Sequence, residues 1–136
     1  MSQYNPNYGL RYNNNKPQWS LVDFTSLEPM VRVLEYGAHK YSIFEDKNGK
    51  QYKGSEITKE EAENLKEIYS GKDNWKNGMP VSKIMESLLR HAFAILDGES
   101  TDKESGEEHI GHLMCNAMFV SYMLKNKPEL NDLTQK

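Results

Sequence analysis

A chain of 136 residues is the length of one domain. With 37% hydrophobic and 27% charged residues it has enough apolar side chains for a modest core and too many for a wholly disordered chain. A net charge of −3 argues against a basic surface for gripping phosphate backbones, so duplex nucleic acid is not an expected partner. No apolar run approaches the ~18–20 residues that span a bilayer, which predicts no membrane partner and a soluble, cytoplasmic protein. Cys115 is the single cysteine, which excludes an internal disulfide and thiolate cages. Any metal must use His and carboxylates.

Residues 1–20 are rich in Asn, Tyr, Pro and Gln and read as an extended arm. Thr25 and Glu28 have the form of a capping box, and Pro29 suits a first helical turn. Leu27, Val31, Leu34 and Ala38 then share one face of a helix running to about Tyr41, and that face is expected in the core. Asn48-Gly49, between short β-prone segments, predicts a two-residue hairpin within 42–57. Thr58 and Glu61 form a second capping-box pattern, opening a short acidic helix that Gly71 would stop. Glu60 and Glu63 within it have a magnesium-binding spacing, but Lys59 and Lys66 and a thin apolar stripe favour a solvated face.

A third helix is predicted from Ser82 to about Asp97, with Ile84, Leu88, His91 and Ile95 on one seam. The acidic, Gly-broken stretch Gly98 to Glu108 reads as a loop, and a last helix runs from about His109 to Lys125 before Pro128 and a tail expected to fray. The expected fold is therefore all-α: an antiparallel core of about four helices with a small β-hairpin insertion. The helical domain covers 21–126, the insertion 42–73 and the polar tail 127–136.

His109, His112 and Asn116 recur on one stripe that continues into Phe119 and Met123. A stripe that is polar for two turns and apolar for the next two should run from a pocket into the core. Antiparallel helices would bring His91 towards His109 and His112, with the acids of the intervening loop nearby. Three of the four histidines and six of the twenty acids fall between His91 and His112, ligand types that suit Mg²⁺ or Mn²⁺. Each histidine taken alone reads more readily as a hydrogen-bonded core residue, whereas the cluster as a whole points to a metal site. Arg90 could hold a phosphate at the pocket edge or pair with Glu86 one turn earlier. Trp75, beside Asn74, could stack on a base or cap the core. Lys40-Tyr41 offers a cation and an aromatic at the end of the first helix.

The ordered series Arg11, Lys16, Gly37-Ala38, Lys40-Tyr41, Asn74-Trp75, Gly78, Ser87, Arg90-His91, Gly98-Glu99, Asp102, Glu104-Ser105-Gly106, His109, His112 and Asn116 resembles phage-encoded dATP/dGTP diphosphohydrolases. These are similar in outline to the all-α, MazG-like nucleoside triphosphate pyrophosphohydrolases. The resemblance implies metal-dependent hydrolysis of a purine (deoxy)nucleoside triphosphate to monophosphate and pyrophosphate, in a homo-oligomer in the host cytoplasm. It implies catalytic Glu99, Asp102 and Glu104, and Mg²⁺ or Mn²⁺ held by these with His91, His109 and His112. Nucleotide contacts would come from Arg11, Lys16, Lys40, Tyr41, Asn74, Trp75, Arg90 and Asn116. The sequence departs from the family pattern in two ways. Ser42 to Asp73 separates Lys-Tyr from Asn-Trp, and Glu99 and Asp102 match only the second half of the paired carboxylate signature. Those departures admit a second function, sequestration of a phosphorylated purine or signalling nucleotide without cleavage.

Overall fold

The structure, a computed structural model, describes residues 9–10 and 14–134. Its frame is a pair of long helices, α3 (Val81–Leu96) and α4 (His109–Asn126), crossed by α1 (Glu28–Lys40). Val81 and Ile84, at the start of α3, pack on Met123 near the end of α4, while His91 meets His109 at the other end, so the two helices run antiparallel. Val81 and Met123 are fully buried, with Trp75, Met79, Phe119 and Leu130 packed around them.

Helix α1 lies against the first half of α4, and small residues make that contact possible. A Cβ on Gly111 would stand 2.3 Å from the Pro29 carbonyl oxygen, and one turn on, the Cys115 thiol donates to the Met30 carbonyl oxygen at 3.3 Å. The face of α1 that enters the core centres on Val33, and Val31 is 45% exposed. The expected stripe is therefore rotated, because α1 must present Met30 and Val33 to the groove that Gly111 opens. The Thr25 capping box does not form either. Thr25 and Ser26 donate to Asp23 instead, making a 3-10 turn over Phe24–Leu27 before the helix begins.

The insertion is more β-structured than expected. Strands β1 (Ile43–Glu45) and β2 (Gln51–Lys53) pair antiparallel around a loop over 46–50, longer than the two-residue turn predicted. Asp46 explains the length: its Oδ1 accepts from the backbone N–H groups of Asn48 and Lys50, both at 2.9 Å, while Gly49 takes a φ of +81°. The second capping box forms, with Thr58 Oγ1 accepting from Glu61 N–H at 3.1 Å, but helix α2 (Lys59–Ala62) ends after one turn. Lys66–Tyr69 is strand β3 and pairs with the free edge of β1, giving the order β2-β1-β3. The expected helix to Gly71 is thus one helical turn followed by a strand: the thin apolar stripe gives a longer helix little to bury, while the edge of β1 pairs the backbone of Lys66–Tyr69. Glu60 and Glu63 are exposed, and Glu63 lies beyond α2.

The acidic loop is ordered by its glycines and by internal hydrogen bonds. Gly98, at φ +85°, closes α3: its N–H bonds Ile95 O and that of Glu99 bonds Ala94 O, the two bonds of a Schellman motif. Thr101 and Glu108 then form a bridge, and His109 N–H returns to Ser100 O at 2.9 Å. The described part of the tail, residues 127–134, turns back on the core instead of fraying. Leu130 packs on the core, and Asp132 accepts from the Ser82 backbone N–H at 2.8 Å and from its hydroxyl, capping the start of α3. Among the described residues no helix is long and apolar enough to cross a membrane.

Candidate functional site

A cleft of about 450 Å³ opens between α1, the end of the insertion, α3 and the acidic loop, within the size range of small-molecule sites. Three cations line it: Lys40 from the end of α1, Lys72 from the end of the insertion, and Arg90 from α3. Tyr36 and Tyr41 flank Lys40, whose Nζ lies 5.7 and 5.5 Å from their ring centres. Trp75, Met79 and Phe119 add an apolar surface to its lining. Trp75 stacks on Phe119 with centroids 4.5 Å apart and meets Tyr122 edge-on, so it both caps the core and faces the cleft. Arg90 is not within ion-pair distance of Glu86 and lines the cleft.

Gly71 puts Lys72 there. The backbone at Gly71 passes so close to the end of α1 that a Cβ would stand 2.5 Å from Ala38 O, and its N–H donates to the buried Ser42 hydroxyl at 2.9 Å. That close approach brings the end of the insertion against the rim formed by Lys40 and Tyr41.

At the inner end His91, Asp102 and His112 line the cleft, with His109 buried behind them. His91 and His112 lie parallel, 5° apart in plane and 4.4 Å between centroids, and His91 Nδ1 is 2.8 Å from His109 Nδ1. Glu99 Oε1 stands 3.4 Å from His109 Nε2 without the alignment of a hydrogen bond, leaving that buried nitrogen with no hydrogen-bond partner. Ser105 organises the other half. Its hydroxyl lies 2.9 Å from Asp102 Oδ2 and 2.7 Å from His112 Nε2, and accepts from Glu107 N–H at 3.1 Å. An ionised carboxylate only accepts, so the hydroxyl proton goes to Asp102 and His112 must donate from Nε2, which leaves its Nδ1 bare.

Burial holds the ionisation of these groups away from the charged imidazole. It lowers the His91 pKa, helped by the neighbouring His112 and His109, and burial likewise lowers that of His112 against the opposing pull of Asp102. For Asp102 burial acts upwards, but the backbone and hydroxyl bonds from Ser105 outweigh it and the carboxyl lies below its usual range. The candidate donor set is two imidazoles and a carboxylate. His91, Asp102 and His109 each bring one donor atom within 4.8 Å of the other two, a set that fits a divalent ion.

The other expected site residues are distributed as follows. Tyr41, Asn74, Trp75 and Glu104 line the cleft, and Glu104 Oε1 is 3.2 Å from Lys40 Nζ. Asn116 stands one layer back, its Nδ2 donating to Ser87 Oγ at 3.2 Å while Ser87 itself lines the cleft. Glu99 is set behind His109, away from the cleft wall. Lys16 is exposed in a separate hollow formed by 14–21, away from the cleft. Arg11 lies outside the described residues. Tyr36, Lys72 and Met79 have no counterpart in the sequence reading. Tyr36 had a signal, four residues before Lys40 on the same helical face.

Residues 6–133 match the family described as dATP/dGTP diphosphohydrolase, N-terminal. The chain belongs to that family. It is 23% identical over 124 residues to a dATP/dGTP diphosphohydrolase of Salmonella phage PMBT28, an alignment that covers 91% of this chain and 32% of the relative. The chain thus spans about a third of the length of the curated relative it matches. No solved structure matches it. The matched region takes in every residue that lines the cleft and the whole of the 42–73 insertion.

Proposed function

We propose that the cleft binds a purine (deoxy)nucleoside triphosphate and that the chain hydrolyses it between the α- and β-phosphates, releasing the monophosphate and pyrophosphate. One observation supports this above others: a single cleft joins three cations, an aromatic wall and a His–Asp cluster fit for a divalent ion. Those are the needs of a triphosphate, a base and a phosphoanhydride cleavage. The relative's name, dATP/dGTP diphosphohydrolase, agrees with that chemistry.

Lys40, Lys72 and Arg90 would face the phosphates, Arg90 with a planar fork suited to bidentate contact. Trp75 and Phe119 would carry the base on an apolar surface, and Asn74 would meet its polar edge. Asp102, His91 and His109 would hold the ion, with Glu99 behind His109 and Glu104 in the cleft wall. A bound divalent ion supplies phosphate neutralisation and a more acidic water. His112, with a bare Nδ1 in the cleft wall, would be the proton acceptor there. The cations of the cleft offset Asp102 and Glu104, so a polyanion can enter.

The test is pyrophosphate release from dATP, dGTP, ATP and GTP with Mg²⁺ or Mn²⁺. Multiple turnovers with at least one purine triphosphate are expected, and no release at enzyme concentrations near substrate would overturn the hydrolytic reading. A second reading, sequestration without cleavage, is favoured by one feature: Glu60 and Glu63 are exposed and off the cleft, so that pair does not complete the signature there. Unchanged nucleotide recovered after denaturing a tight complex would establish it.

The proposal includes assembly into a homo-oligomer. Leu89, Phe93 and Leu96 form a row on α3 that is 43%, 60% and 79% exposed, the kind of apolar strip a second copy covers. Sedimentation of a single monomeric species at micromolar concentration would remove it.

A further inference from the structure

The His91 and His109 Nδ1 atoms are 2.8 Å apart. Two bare lone pairs do not face each other at that distance, so a proton or a cation lies between them. With one proton shared between two neutral rings, one arrangement suits the surroundings. Were His109 the donor, its buried Nε2 would point a bare lone pair at the Glu99 carboxylate 3.4 Å away. His91 therefore donates, and His109 carries its proton on Nε2, towards Glu99. That is also the tautomer of a histidine that ligates through Nδ1, whose other N–H is characteristically turned to a carboxylate.

Asp102 is prepared in the same way. Its Oδ2 accepts from Ser105 N–H at 3.0 Å and Ser105 Oγ at 2.9 Å, which fixes the carboxylate from one side and leaves Oδ1 for another partner. Metal bonds of ~2.1 Å at right angles place neighbouring donors ~3.0 Å apart, close to the spacing of the two imidazoles. The chemistry of the donors decides the ion. Imidazole nitrogen suits the first-row transition metals, whereas Mg²⁺ takes oxygen ligands and keeps its waters.

We infer that His91, His109 and Asp102 bind one first-row transition-metal ion in preference to Mg²⁺, with Glu99 and Ser105 acting as positioning residues for His109 and Asp102. This deepens the proposed function, resting on its metal-site reading but not on turnover. It narrows the expected pair of ions to the Mn²⁺ side for the protein's own site, and Mg²⁺ enters only with the triphosphate. Glu99 becomes an orienting carboxylate and not a ligand.

The full chain, stripped with a chelator, would be titrated with Co²⁺ and followed by visible absorption and calorimetry. One equivalent should bind with an imidazole-ligated spectrum that a large excess of Mg²⁺ leaves unchanged. His91→Ala, His109→Ala and Asp102→Ala should each weaken uptake at least ~tenfold, and Glu99→Gln and Ser105→Ala by roughly tenfold or more, the scale of lost supporting contacts. Circular dichroism identifies variants that fail to fold, and the less buried His91 and Asp102 keep the test open if His109→Ala is one of them. Competition by Mg²⁺ at equal concentration, or unchanged Co²⁺ uptake in folded His91→Ala and Asp102→Ala, overturns the inference and leaves the His91–His109 contact as a core hydrogen bond. Metal uptake without pyrophosphate release would overturn only the proposed hydrolysis. Release supported by Mg²⁺ with no Co²⁺ uptake would overturn only this inference.

Discussion

Lys40 Nζ lies 3.2 Å from Glu104 Oε1, so a cation from the end of α1 meets an acid from the α3–α4 loop, 64 residues away, within the cleft lining. Glu104 is largely exposed, and such pairs contribute only ~0–1 kcal/mol to stability. Its consequence should be in binding. A nucleotide phosphate competes with Glu104 for Lys40, so Glu104→Gln should tighten triphosphate binding several-fold, and Lys40→Met should weaken it by at least tenfold, ~1.4 kcal/mol. Both variants should melt close to the parent. Calorimetric titration with a non-hydrolysable triphosphate measures the effect, and weaker binding by Glu104→Gln would return Glu104 to the ion or the substrate.

Ser105 and His112 should behave as one unit. The Ser105 hydroxyl satisfies His112 Nε2–H and Asp102 together and accepts from Glu107 N–H, so its removal takes a bond from three half-buried partners. Ser105→Ala should cost roughly 1–3 kcal/mol of stability. His112→Ala should cost less once Ser105 is gone, giving a coupling of about 0.5–3 kcal/mol in a double-mutant cycle. Additive losses in chemical denaturation would mean that the 2.7 Å contact does not persist in solution.

The helical frame was legible because α3 and α4 carry long apolar seams with clear stops: α3 ends at the Gly98 Schellman turn and α4 begins at His109, within a residue of expectation. The approach of His91 to His109 followed from antiparallel pairing alone. What was not legible depended on tertiary context. Lys66–Tyr69 has a weak helical pattern and becomes β3 because β1 offers an unpaired edge. Val31 lost its core position to Val33 because Gly111, far away in sequence, sets where α1 can descend. Lys72 reaches the cleft only through the close packing of Gly71 on Ala38 and Tyr41, which no local pattern announces. Ser105, by contrast, stood in a recognised motif, but its bonds to Asp102 and His112 required the loop's fold.

Two glycines in helices should respond oppositely to alanine. At Gly111 the added Cβ would lie 2.3 Å from the Pro29 carbonyl oxygen and 2.6 Å from its carbon, backbone atoms that cannot move without shifting α1. Gly111→Ala should lose roughly 1–3 kcal/mol to overpacking despite alanine's better helix propensity. At Gly37 the Cβ would meet nothing within 4 Å. Gly37→Ala should gain up to ~1 kcal/mol in stability, while intruding on the cleft that Gly37 lines. Thermal melts of the two variants read the difference, and a stabilised Gly111→Ala would show that α1 does not sit on α4 as described.

Cys115 reports on the same interface. Its thiol is 1% exposed beneath α1, donates to the Met30 carbonyl oxygen, and is pushed by burial up to about 12 from an ordinary value of 9.0. The native thiol should therefore stay unreactive towards a disulfide reagent at pH 8, where unfolded protein reacts at once. The linkage has a definite sign. Because the folded pKa is the higher one, the folded chain retains a proton that the unfolded chain releases above pH 9.0. The contribution is complete below that pH and is lost as pH rises towards 12, so stability should fall with pH across this window. Cys115→Ala should flatten that alkaline slope. Gly111→Ala, by lifting α1, should speed thiol labelling at pH 8 well before global unfolding; equal labelling rates in parent and variant would show that α1 does not gate access to Cys115.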